Sequence, residues 1–165
     1  MKTLCRIATA TLGLLLANSL HGQALWPDTR AGMPVGEVKK MFPEAHEPAE
    51  PGELPSGKGR ELLTIDEVVI AEHTFKVRFF FDEGLLVHVD LFETGEFAMK
   101  EFEKFRDLLR KKYGFEYSTT SSTSLRLDWH VVRTVIQLQW TPVSRGIATL
   151  SISYEAPIPK EPDRL

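Results

Sequence analysis

From Glu61 to Tyr154 apolar and polar residues alternate one for one in several runs, and that period of two restricts the chain to strands with one buried face. Phe75, Val77, Phe79 and Phe81 fall on one side of Thr74–Phe81, with Lys76, Arg78 and Phe80 on the other. Leu85, Val87, Val89 and Leu91 form a matching apolar set in Leu85–Phe92. Keeping both sets on one side predicts a three-residue loop, Asp82-Glu83-Gly84, with Phe80 opposite Leu86, Arg78 opposite His88 and Lys76 opposite Asp90. Glu61–Ala71 is expected to precede these strands, turning at Glu72-His73. Three later runs alternate likewise: Leu125, Leu127 and Trp129; Ile136, Leu138 and Trp140; Ala148, Leu150, Ile152 and Tyr154. The last two are joined through Pro142-Val143-Ser144-Arg145-Gly146.

Two segments carry the helical period instead. Pro34 suits a first helical turn, Val35, Val38, Met41 and Phe42 recur at helical spacing, and Pro43 stops the run. In the second, Thr94 is the expected cap, Ala98, Phe102, Phe105, Leu109 and Tyr113 share one side, and Arg110, Lys111 and Lys112 sit at the negative end before Gly114. The order is helix, three strands, helix, three strands. It predicts an α+β fold, an antiparallel sheet packed against two helices, built as a tandem helix-plus-three-strand repeat.

The ends set the compartment. Lys2 and Arg6, the short apolar run Ile7–Ala17 and the small residues around Gly22-Gln23-Ala24 predict a signal peptide over 1–24, removed before Leu25. The only cysteine, Cys5, lies within it, so the mature chain forms no disulfide and folds on its core alone. The full chain already has a formal net charge of −3, and losing Lys2 and Arg6 makes the mature chain more acidic. That disfavours nucleic acid and anionic membranes as partners. Residues 25–156 are expected to form one domain, with a proline-, glycine- and glutamate-rich mobile loop at 44–60 and a flexible proline-rich tail at 157–165.

At Gly32-Met33-Pro34-Val35-Gly36-Glu37-Val38 the chain resembles the helix start of small exported bacterial domains. These are the small lipoprotein subunit of the outer-membrane barrel assembly machine and the similarly folded β-lactamase inhibitor proteins. The resemblance covers this motif and the element order. The chain departs from the first family in lacking its anchoring cysteine and from the second in lacking its disulfides. What the resemblance implies is a non-enzymatic module that binds other envelope proteins.

Chemistry is sparse. No G-x-S-x-G, H-E-x-x-H, phosphate loop or dinucleotide glycine pattern occurs, and thiol catalysis has no residue in the mature chain. No cofactor is expected. Phe80, Leu86 and Phe92, flanked by Arg78, are expected to form an outward patch that binds a protein partner. His88 and Asp90 on one strand and Asp128 and His130 on another would hold a divalent metal if those strands were neighbours. The sequence thus predicts a periplasmic or secreted protein-binding module of the cell envelope. Its alternatives are a metal- or small-ligand-binding protein and an inhibitor of an exported hydrolase.

Overall fold

A computed structural model describes residues 26–120 and 123–156. The expected leader, 1–24, and tail, 157–165, lie outside the described residues. The elements run α1 (Val35–Met41), β1 (Arg60–Ile70), β2 (His73–Asp82), β3 (Leu85–Gly95), α2 (Met99–Tyr113), β4 (Tyr117–Thr120), β5 (Leu125–Val131), β6 (Thr134–Ser144) and β7 (Ile147–Glu155). The strands form one antiparallel seven-stranded sheet in the order β1-β2-β3-β7-β6-β5-β4. The α+β class and the antiparallel sheet with two helices therefore stand. The final strands of the two meanders, β3 and β7, pair at the centre, Leu91 facing Ile152.

The helices cover one side of this sheet. Phe75, Val77, Phe79, Leu86, Val89, Leu91, Leu138, Leu150 and Ile152 pack there with Val38 of α1 and Phe102, Phe105 and Leu109 of α2. Phe105 meets Phe75 edge to face at 5.4 Å, and Trp26 joins Phe42 and Phe79 in an aromatic cluster at 5.3 and 6.0 Å. Gly114 closes α2 with a positive φ, and its carbonyl accepts from the Trp129 indole at 2.9 Å, which ties the helix end to β5.

Several local expectations change. The β2–β3 connection is the two-residue turn Glu83-Gly84, both residues left-handed, with Asp82 opposite Leu85. Such a turn alone would set the apolar faces at odds, and a bulge beyond Phe81–Leu86 restores them: Val87 is the extra residue and Phe80 faces His88. Arg78 therefore faces Asp90, and Lys76 faces Phe92 and pairs with Asp66. Helix α2 starts at Met99 behind Ala98, because Thr94 and Gly95 extend β3 against Thr149 and Ala148. Strands β6 and β7 run on to Ser144 and from Ile147, leaving only Arg145-Gly146 as the turn. Strand β4 is additional to the six expected. Tyr117-Ser118-Thr119-Thr120 has no apolar alternation to announce it.

The 44–60 segment runs back along the outer edge of β1. His46 and Thr64 exchange backbone hydrogen bonds of 2.9 and 2.8 Å, and Glu53 bridges Arg60. This arm, His46–Glu53, flanks β1 as β4 flanks β5, so each meander carries a short segment at its outer edge.

The β5–β6 turn is strained. Val132 is fully exposed yet has φ 55°, a left-handed conformation that a β-branched side chain resists. Val132→Gly should stabilise the fold by about 1 kcal/mol, read as a higher urea midpoint, although glycine removes every side-chain contact there. An unchanged or lower midpoint would contradict the strain.

Candidate interaction surface

The side of the sheet away from the helices carries the polar members of each alternation. Antiparallel register lines them into two rows across the strands. Arg78, Asp90, Ser153, Gln137, Asp128 and Tyr117 form one, and Lys76, Phe92, Ser151, Gln139 and Arg126 the next. Ser151, Ser153, Gln137 and Gln139, at its centre, are each half-exposed. We call this the open face.

Two ion pairs bracket the open face. The Arg78 guanidinium pairs with the Asp90 carboxylate across β2–β3 and lies 4.3 Å from the Phe92 ring centroid and 5.4 Å from that of Phe80. On β5, Arg126 Nε donates to both Asp128 oxygens at 2.9 and 3.1 Å. With the Gln137 amide oriented by its neighbours, its oxygen accepts from Arg126 Nη2 at 2.8 Å and its nitrogen donates to Gln139 at 3.2 Å. Gln139 donates on to Thr141 Oγ1 at 2.9 Å. The aspartate side chains are only 11 and 13 % exposed, against 30 and 43 % for the arginines. The carboxylates lie beneath and the guanidiniums outside, so the face presents hydrogen-bond donors held in fixed directions.

The arm closes over one end. Gly52 N donates to the Glu61 carboxylate at 3.1 Å, and a Cβ on Gly52 would come within 3.0 Å of that oxygen and 3.7 Å of the Phe80 ring. Phe80 is consequently only 2 % exposed.

The residues expected to bind a partner are therefore not one exposed patch. Leu86 has no exposed surface and belongs to the core on the helix side, opposite Phe81, because the bulge turned it inward. Phe80 is buried, Phe92 lies half-buried beneath Arg78, and Arg78 is engaged by Asp90.

The four expected metal ligands do not converge either. Strands β3 and β5 are separated by β7 and β6, a span of about 14 Å at the usual strand spacing. Asp90 and Asp128 are each taken by an arginine, and His130 is exposed and stacks edge-on against Tyr117 at 5.6 Å. Among the described residues no group of three or more His, Cys, Asp or Glu is placed to hold an ion.

His88 stands edge-on to Phe80 at 5.5 Å with Nδ1 buried and unpartnered. Burial lowers its pKa, while Asp90 and Glu155 pull the other way. The neutral imidazole is the form that fits, so its stabilisation is full above the ordinary value of about 6.5 and is lost as pH falls through the lowered folded-state value. A His88→Gln variant should lose less of its urea midpoint than the parent as pH drops below about 6.5. Parallel curves for the two proteins would show that His88 does not titrate in this way.

Arg126, Gln137 and Gln139 match no chemical motif, although Gln137 and Gln139 alternate plainly with Ile136, Leu138 and Trp140. Phe115 and Tyr117, 89 and 71 % exposed, likewise stand outside any motif. No family model, curated protein or solved structure matches this chain. Among the described residues no helix is long and apolar enough to cross a membrane.

Proposed function

We propose that this chain is an exported, non-enzymatic module of the bacterial envelope, periplasmic or secreted, that binds another protein through the open face. The observation that carries this reading is the pair of polar rows from β3 to β5. Serines and glutamines with unspent hydrogen-bonding capacity lie there between two arginines already fixed by largely covered aspartates. An interface built on such a face gains directional hydrogen bonds at little cost in side-chain ordering. Export is supported by the leader pattern in 1–24. Inhibition of an exported hydrolase is one form this binding can take. The two meanders, each with a preceding helix and an outer edge segment, are read as tandem units of one architecture.

Cell fractionation with N-terminal sequencing tests the first half: a periplasmic or secreted product starting at Leu25 is expected, and a cytoplasmic product starting at Met1 would reject export. Capture from envelope extract tests the second. The double variant Gln139→Arg, Ser151→Arg should lose a captured partner at least about tenfold, the effect of roughly 1.4 kcal/mol, while Lys100→Glu in the first turn of α2 retains it. The reverse pattern would move the interface to the helix side.

A further inference from the structure

The two outer edges of the sheet are guarded unequally. On the β1 side the arm His46–Glu53 contains Pro48 and Pro51, which donate no backbone hydrogen bond, and the exposed Glu47, Glu50 and Glu53. Prolines and edge charges are the usual means of preventing another strand from joining. On the opposite side β4 is Tyr117-Ser118-Thr119-Thr120, without charge or proline, and among the described residues it pairs only with β5.

The surroundings of β4 differ as well. Phe115 and Tyr117 are 89 and 71 % exposed and Val132, at the neighbouring turn tip, is wholly exposed. Lys111 and Lys112 end α2 just before β4, and Arg133 shares the turn with Val132; all three are exposed. The carboxylates nearby are already engaged, Glu116 by Arg110 and Asp128 by Arg126. This edge is therefore cationic on a chain whose net charge is negative.

We propose that the free edge of β4 is a strand-addition site for an extended, acidic segment of another protein. Backbone hydrogen bonds to Tyr117–Thr120 would supply the pairing, Phe115 and Tyr117 the apolar anchors, and Lys111, Lys112 and Arg133 the selection for negative side chains. A second copy of this chain is disfavoured, since edge-to-edge pairing of two β4 strands would bring two such cationic clusters together.

Amide hydrogen exchange followed by NMR on the mature chain tests this, with a short synthetic peptide alternating valine and glutamate as the probe. The glutamate peptide should slow exchange at Tyr117–Thr120, and its lysine counterpart should bind at least about tenfold more weakly at low salt. A backbone N-methylated glutamate peptide should give no protection. The surface variant Lys111→Glu, Arg133→Glu, which leaves the core untouched, should reverse the preference between the two peptides. Protection appearing at the arm or on the open face, equal binding of both peptides, binding of neither, or peptide-independent protection that rises with protein concentration would each overturn the proposal. Tyr117 ends one row of the open face, but the pairing edge of β4 lies two strands from Gln139 on β6 and three from Ser151 on β7, so loss of protection at β4 leaves capture through Gln139 and Ser151 unaffected, and the reverse.

Discussion

Leu86→Ala should destabilise the protein by about 2–5 kcal/mol, whereas Leu85→Ala, one residue earlier, should change stability by no more than about 0.5 kcal/mol. Leu86 has no exposed surface, sits opposite Phe81 and packs in the helix-side core, while Leu85 is 45 % exposed at the edge of the turn. The contrast depends on the two-residue turn and the bulge at Val87. An unbroken ladder closed by a three-residue loop would reverse it, with Leu85 inside and Leu86 outside. Urea titrations of the two variants read the answer directly: a larger loss for Leu85→Ala would mean that the β2–β3 register is the other one.

Trp129→Ala should cost about 3–5 kcal/mol. The indole is 1 % exposed in the core beneath α2, and its Nε1 is the donor to the Gly114 carbonyl at the helix end. Truncation would open a cavity under α2 and remove a partner from a backbone acceptor at the same time. Trp129→Phe keeps much of the volume and loses the donor, so it should cost clearly less than alanine yet still lower the denaturation midpoint. If Trp129→Phe proved as damaging as Trp129→Ala, the indole hydrogen bond and not the packing would dominate at this position.

What the sequence made legible was decided by periodicity. Both helices and six strands announce themselves because each has a continuous apolar stripe, and the inward residues Phe75, Val77, Val89 and Leu91 are buried as their alternation implies. Strand β4 has no such stripe and exists because β5 offers it an edge. Face assignment failed at Leu86, because a bulge is a local choice of backbone that alternation does not record. The proposed metal set failed for a different reason. Alternation tells which side of a strand His88 and His130 occupy but not which strands are neighbours, and β3 lies against β7 instead of near β5. The open face follows the same logic in the favourable direction: Ser151, Ser153, Gln137 and Gln139 were readable as outward residues, while their assembly into two rows required the order of the strands. The 44–60 segment has a composition that reads as loop, yet its carbonyls and amides find β1 at His46 and Glu53.

The most direct test of the open face as the docking surface is photo-crosslinking in the producing cell, with the reactive residue placed at Gln139 on the open face or at Lys100 on the helix side of the full chain. One discrete protein adduct from Gln139 and none from Lys100 is the expected result; an adduct formed only from Lys100 would contradict it.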